Sequence, residues 1–282
     1  MTQIVWLASF PKSGNTWVRA LLANYLSGRD TPVDINSLPN FVYGDMRAEY
    51  YERLSGRKVQ DLSWAEINRL RPRVHQFLAG ARDGLVFVKT HNRLSSIDGI
   101  PTITPHVTFG AVYVVRNPLD MVISFARHYG LPLDRAAQAI CFKGLEIPPK
   151  SGHILQTLSD WSTHVGGWLR APGLYHKVVR YEDLSADPVA AFAEIIDFLR
   201  LQRNRKRLKM AVRFSSFTEL ARQERTTGFI ERSRSAERFF AQGRTGVWRG
   251  VLSERDVRLI TDHHGEMMQE LGYLAPDGRI AV

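Results

Sequence analysis

The apolar run at 3–9 (QIVWLAS) stops at a turn holding Pro11 and Gly14, and an amphipathic stretch begins at once over 15–27. Strand, turn and helix in direct succession constrain a chain more than any single residue, because a helix leaving a strand end must pack back on a sheet. The pattern recurs. Runs at 85–90 (LVFVKT), 111–116 (AVYVVR) and 175–181 (YHKVVRY) are rich in Val and show little polar alternation, as strands covered on both faces do. Helical spacing is predicted over 15–27, 63–79, 118–130, 153–170, 188–200 and 253–271. The last has Ser253 as N-cap, Asp256 at N3, a stripe of Val257, Ile260, His264, Met267 and Leu271, and Gly272 as its stop. Residues 28–60, 131–152 and 222–250 are less regular and read as loops inserted around a site. The expected fold is α/β, a three-layer P-loop-like arrangement with a mainly parallel central sheet flanked by helices. One domain over 1–282 is expected.

Composition narrows the partners. Hydrophobic residues make up 44% of the 282 and charged residues 23%, as in ordinary globular proteins. The one cysteine, Cys141, excludes an internal disulfide framework and fits a reducing cytosol. No apolar run approaches the roughly 18 residues of a membrane span. Nothing basic precedes IVWLASF, which makes a poor signal peptide, so a cytoplasmic location is expected. Lys and Arg number 38 against 28 acids, a formal charge of +10, which suits nucleic acid, an anionic membrane surface or a small polyanion. The densest basic run, RLQRNRKRLK at 200–209, reads as a solvated helix face. It lacks the interleaved aromatics on which single-stranded nucleic acid stacks.

The turn SFPKSGNTW, Ser9 to Trp17, is the first candidate site. Pro11 fixes the chain at the strand exit, and Gly14 lets backbone approach a ligand. Asn15 and Thr16 can cap the helix, whose N–H groups and positive dipole end attract an anion. Lys12 adds a mobile cation, and Ser13 and Thr16 add hydroxyl donors. The spacing is not that of a nucleotide triphosphatase, which also needs a metal-holding acid after a later strand. Here the later strands end in Lys89-Thr90-His91, Arg116-Asn117-Pro118 and Tyr181-Glu182-Asp183. The first two supply cations or a base, and Glu182 and Asp183 more simply begin a helix. A metal-free anion site is expected. No Cys/His cluster has zinc spacing, and adjacent His263 and His264 point to different sides of a helix.

Five segments in order resemble the 3′-phosphoadenosine 5′-phosphosulfate (PAPS)-dependent sulfotransferase family: SFPKSGNTW; VKTH at 88–91; VYVVRNPLDMVISFARHY at 112–129; RYEDL at 180–184; and SSFTEL at 215–220 followed by FFAQGRTGVWRG at 239–250. The resemblance implies that PAPS is the donor and that residues 11–17 hold its 5′-phosphosulfate. It implies that Arg116 and Ser124 hold the 3′-phosphate, that Tyr181 lies near the adenine with Trp17 and Phe217 on its faces, and that Ser215, Gly243 and Arg244 complete the site. It makes His91 the general base in an in-line displacement, with Lys12 neutralising the departing phosphate and Lys89 the transferring group. Ser124 would also hydrogen-bond Lys12 before an acceptor arrives. The fifth segment departs from the family pattern: Ala241-Gln242 stand where the family has Arg-Lys, and Val247 replaces an Asp, leaving Arg244 or Arg249 to supply charge. The acceptor is expected to be a hydroxyl of a small molecule or natural product. The short lead IVWLASFPKSGNTWVR looks like the bacterial branch, including enzymes that sulfate glycopeptides. The competing expectations are a kinase with a variant P-loop and a basic nucleic-acid-binding protein.

Overall fold

The structure is a computed structural model that describes residues 2–150 and 152–281. The two ends of the expected 1–282 domain, and Ser151 of the irregular segment 131–152, lie outside the described residues. In chain order the main elements are β1 (Gln3–Ser9), α1 (Asn15–Ser27), β2 (Val42–Gly44), α2 (Ala48–Ser55), α3 (Trp64–Ala79), β3 (Leu85–Thr90) and β4 (Thr108–Val115). They continue as α4 (Pro118–Tyr129), α5 (Leu133–Ile140), α6 (Trp161–Leu169), β5 (His176–Arg180), α7 (Tyr181–Ala186), α8 (Pro188–Phe198), α9 (Arg205–Phe214), α10 (Phe217–Thr227) and α11 (Glu254–Glu270). The central sheet has the order β2-β3-β1-β4-β5. β1 and β2 both run parallel to β3, in registers from Gln3↔Leu85 to Ala8↔Thr90 and from Val42↔Phe87 to Gly44↔Lys89. A mainly parallel sheet flanked by helices is what the alternating pattern predicts.

Two compact units divide the chain: Met1–Phe10, Val42–Tyr113 and Lys143–Val178 form the first; Pro11–Phe41, Val114–Phe142 and Val179–Val282 form the second. In the first, Ile4, Val5, Trp6 and Leu7 of β1 and Val86 and Val88 of β3 are wholly buried. Removing each such side chain from water contributes about 1.5–3 kcal/mol, which explains why consecutive residues rather than alternating ones are apolar. α3 starts from a complete capping box, Ser63 with Glu66, and packs on β1 and β3. In the second unit α1 packs on α9, and α11 packs on α4 and α5. An apolar cluster there joins Ala20 and Ala23 of α1 to Val33, Ile35, Leu38, Leu220 and Phe229. Among the described residues no helix is long and apolar enough to cross a membrane.

Several expectations need correction. β4 starts at Thr108 and ends at Val115, so Arg116 lies just past the strand. The helix expected over 153–170 begins only at Trp161, because Asp160 accepts a hydrogen bond from the Thr163 N–H as its cap, and Gln156–Thr157 pair with Glu146–Ile147. Segments read as loops contain α2 and α5, and the last of them takes in the C-terminal half of α10. Their apolar stripes are too short to stand out from the polar residues around them. Asn15 and Thr16 do not cap α1. They occupy its first turn, and the N-cap is Gly14, with no side-chain hydrogen bond. The last helix is capped by Ser253 as expected, but its buried stripe is Asp256, Ile260, His264, Met267 and Met268.

Candidate active site

In the first unit, β3 ends at Thr90 and presents His91 as the next residue. Its ring Nδ1 lies 2.8 Å from the Ser9 carbonyl oxygen and 3.3 Å from the Ser9 hydroxyl. A carbonyl only accepts, so Nδ1 carries the proton and Nε2 carries the lone pair. The backbone around the ring is equally well tied. The His91 carbonyl accepts from Nε2–H of buried His164 at 3.0 Å, whose Nδ1 accepts from the Tyr113 hydroxyl at 2.9 Å. Burial drives the His164 pKa down to about 4, so it works as a neutral ring. Asn92 receives the same treatment: its carbonyl accepts from the Trp168 indole at 3.2 Å, and its side-chain oxygen accepts from the Thr157 N–H at 3.0 Å.

The second unit carries the turn and its aromatic surroundings. Lys12 has φ 70° and Gly14 φ 109°, both in the left-handed region. At Gly14 a Cβ would stand 2.7 Å from the Tyr181 ring, so only glycine fits. Tyr181 meets Trp17 edge-on at 5.5 Å between ring centres, and the Arg116 guanidinium lies 4.3 Å from the Tyr181 centroid. Turn, strand-end arginine and strand-end tyrosine are thus one cluster. Arg116 donates to the Arg244 carbonyl at 3.0 Å, while its buried Nε makes no hydrogen bond. The buried Ser13 hydroxyl likewise has none. The Lys12 ammonium rests 3.6 Å from the Phe239 ring centre, a cation–π contact. Donors and cations thus gather around a turn that admits no Cβ at Gly14, an arrangement chemically suited to an anion.

Comparison with known proteins decides the class: a family model described as the sulfotransferase domain matches residues 2–272. The chain belongs to the sulfotransferase domain family. Among curated relatives this sulfotransferase is similar to cytosolic sulfotransferase 12 of Arabidopsis thaliana, with 24% identity over 88% of this chain and 72% of that one. Its fold is similar to that of mouse sulfotransferase SULT7A1 complexed with PAP, with a TM-score of 0.61 and 17% identity over 96% of this chain and 89% of that one. It is also similar to that of retinol dehydratase in a complex with retinol and PAP, with a TM-score of 0.65 and 18% identity over 95% and 82%.

The remaining positions that the sulfotransferase motifs single out fall as follows. Pro11 and Thr16 are buried within the turn and the first turn of α1. Gly243 packs on Phe217 so tightly that a Cβ would come within 2.2 Å of the ring, which joins those two expected residues. Arg244 is brought to Arg116 through its carbonyl, while its side chain is exposed. Ser215 is fully buried, and its hydroxyl accepts from Asn24 at 3.0 Å. Ser124 is half-buried in α4, and Lys89 is half-buried in β3 with its carbonyl accepting from the Asp45 N–H at 3.2 Å. Sequence reasoning missed the bracing roles of four acids, of which Glu182 was read only as the start of a helix, where the structure does place it. Asp45 contacts the end of β3. Asp120 accepts from the N–H groups of Gly246 and Trp248 at 2.6 and 2.9 Å. Glu224 accepts from those of Phe239 and Phe240 at 2.6 and 2.9 Å. Glu182 accepts from the Asn117 N–H at 3.0 Å and the Tyr273 hydroxyl at 2.8 Å, and burial raises its pKa. Asp120 and Glu182 carried a signal, each as an acid in the first turn of a helix within a quoted motif.

Proposed function

We propose that the protein transfers a sulfuryl group from PAPS to a hydroxyl of a small-molecule acceptor by in-line displacement, with His91 as general base. Family membership supports the reaction class, and the PAP named with two solved relatives supports the donor. Retinol, named with one of them, supports a small acceptor. The cytosolic Arabidopsis relative supports work in the cytosol. A family match that runs through segments of both units supports a single catalytic domain.

The observation that carries the reading is the bond from His91 Nδ1–H to the Ser9 carbonyl. It leaves the basic nitrogen, Nε2, as the atom that accepts the acceptor's proton. The residues present fit the donor: a turn that admits no Cβ at Gly14, a buried Ser13 hydroxyl and a buried Arg116 Nε without hydrogen-bond partners, and a lysine within the turn. Bound PAPS supplies an activated sulfuryl group on a phosphate leaving group. Lys12 neutralises charge on that phosphate, and in the sequence only Phe10 and Pro11 separate it from Ser9, the residue that orients the base. Arg116 grips the 3′-phosphate with Ser124 beside it, Trp17, Tyr181 and Phe217 enclose the adenine, and Lys89 stabilises the transferring group.

Two measurements test this. PAP raises the melting temperature of the purified protein by binding the native state, whereas stabilisation by ATP–Mg²⁺ alone points to a kinase. In a labelled-PAPS assay over a panel of hydroxyl compounds, His91→Ala and Lys12→Ala each lower turnover by about 10²–10⁴-fold with PAP affinity largely retained. A His91→Ala enzyme near the wild-type rate rules out the base assignment.

A further inference from the structure

Asp45 follows the last residue of β2 and is wholly buried, the most unfavourable setting for a carboxylate. Its bonds show what it is there for. One oxygen, Oδ2, accepts from the Thr90 hydroxyl at 2.8 Å and from the Asn92 amide at 3.2 Å, the residues on either side of His91. The Asp45 N–H donates to the Lys89 carbonyl at 3.2 Å, and the Thr90 hydroxyl also accepts from the Asn92 N–H at 3.1 Å. Lys89, Thr90 and Asn92 are therefore stitched to one side chain and its backbone.

The obvious alternative is a buried ion pair with Arg71, which is also wholly buried and attracts Asp45 electrostatically. That attraction is not joined by a hydrogen bond. Neither Nη of Arg71 makes a hydrogen bond, its Nε donates to Asn68, and Asp45 Oδ1 has no hydrogen-bond partner. The carboxylate's hydrogen bonds go to the residues that bracket the imidazole, not to the guanidinium.

We propose that Asp45 is a positioning residue for His91, a clamp on both neighbours that holds the ring where its Nδ1–H meets the Ser9 carbonyl. The proposal deepens the sulfotransferase reading and rests on it for its effect on turnover. Thr90 and Asn92 cannot shift independently, His164 pins the carbonyl between them, and the ring keeps only its own rotation, which the Ser9 bond stops. A drift of about 1 Å at a reacting group costs about 100-fold in rate, so such a clamp is worth a buried charge.

The test uses the full chain with ¹⁵N-labelled histidine. In wild type the His91 ring shows the Nδ1–H tautomer. Asp45→Ala is expected to give a mixture of tautomers, a kcat about 100-fold lower per folded molecule, and a PAPS KM within about twofold. Asp45→Asn keeps an oxygen able to accept both bonds and recovers most of that loss. If Asp45→Ala does not fold, Thr90→Val, of nearly the same shape, removes one arm of the clamp and gives a smaller change of the same kind. An unchanged ring signature in Asp45→Ala, or in Thr90→Val where Asp45→Ala is unfolded, overturns the proposal. A disturbed ring with an unchanged rate upholds the clamp and overturns the assignment of His91 as base, so the two failures are told apart.

Discussion

His164 shows how one buried ring imposes a pH limit. It donates to the His91 carbonyl and accepts from Tyr113, and a second proton would abolish the accepting role. Its pKa falls from 6.5 in the open chain to about 4 when folded, through burial. The unfolded chain therefore binds the proton first. Stability is fully present above pH 6.5 and declines as pH falls towards 4. At pH 5 the loss from this residue is about 2 kcal/mol. Chemical denaturation at pH 7 and pH 5 should show that difference shrinking by about this amount in His164→Gln, which keeps a donor for the His91 carbonyl. An equal fall in both proteins contradicts the account. Nothing in the sequence around His164 announced this. The ring acquires its task from Tyr113, far away in the chain, and local spacing carries no trace of such a partner.

At the scale of elements, the contrast between legible and hidden parts has a physical origin. β1, α1 and β3 have the expected bounds because Pro11, Gly14 and a solid apolar run punctuate the chain locally. β2 was missed because three residues leave no periodicity to read, and with it went Asp45. The segment 239–250 read as irregular, and it has no helix or strand, yet it is anchored. Asp120 holds the Gly246 and Trp248 N–H groups, Glu224 holds those of Phe239 and Phe240, and Arg116 holds the Arg244 carbonyl. A hydrogen bond to a charged group contributes about 1.5–3 kcal/mol, so Asp120→Ala should free the segment locally without unfolding the helices. Trypsin cleavage after exposed Arg244 and Arg249 is expected to speed up at least about tenfold, a loss of about 1.4 kcal/mol in local opening, and PAP to slow it again. Unaltered cleavage would show that Asp120 anchors nothing.

For the molecule as a whole, the charge of +10 admitted several partners. Arg203, Arg205, Lys206, Arg207 and Lys209 are exposed around α9, whose buried residues are Leu208, Ala211 and Phe214. This is the solvated helix face that the sequence suggested. The triple variant Arg205→Glu, Lys206→Glu and Lys209→Glu should keep sulfuryl transfer within about twofold at 0.15 M salt, where exposed charges more than about 8 Å away are screened. A collapse of turnover would return the nucleic-acid or polyanion reading for that run. The motifs themselves were readable because each is a short local string, whereas partners such as Asp45, Glu224 and Tyr273 come from outside them. Tyr273 illustrates the cost of that arrangement. Its hydroxyl steadies Glu182, which steadies the Asn117 amide beside Arg116. During translation the backbone beside Arg116 is therefore braced only once the chain has been made through Tyr273, and a nascent chain stalled short of that residue carries the recognisable motifs without this brace.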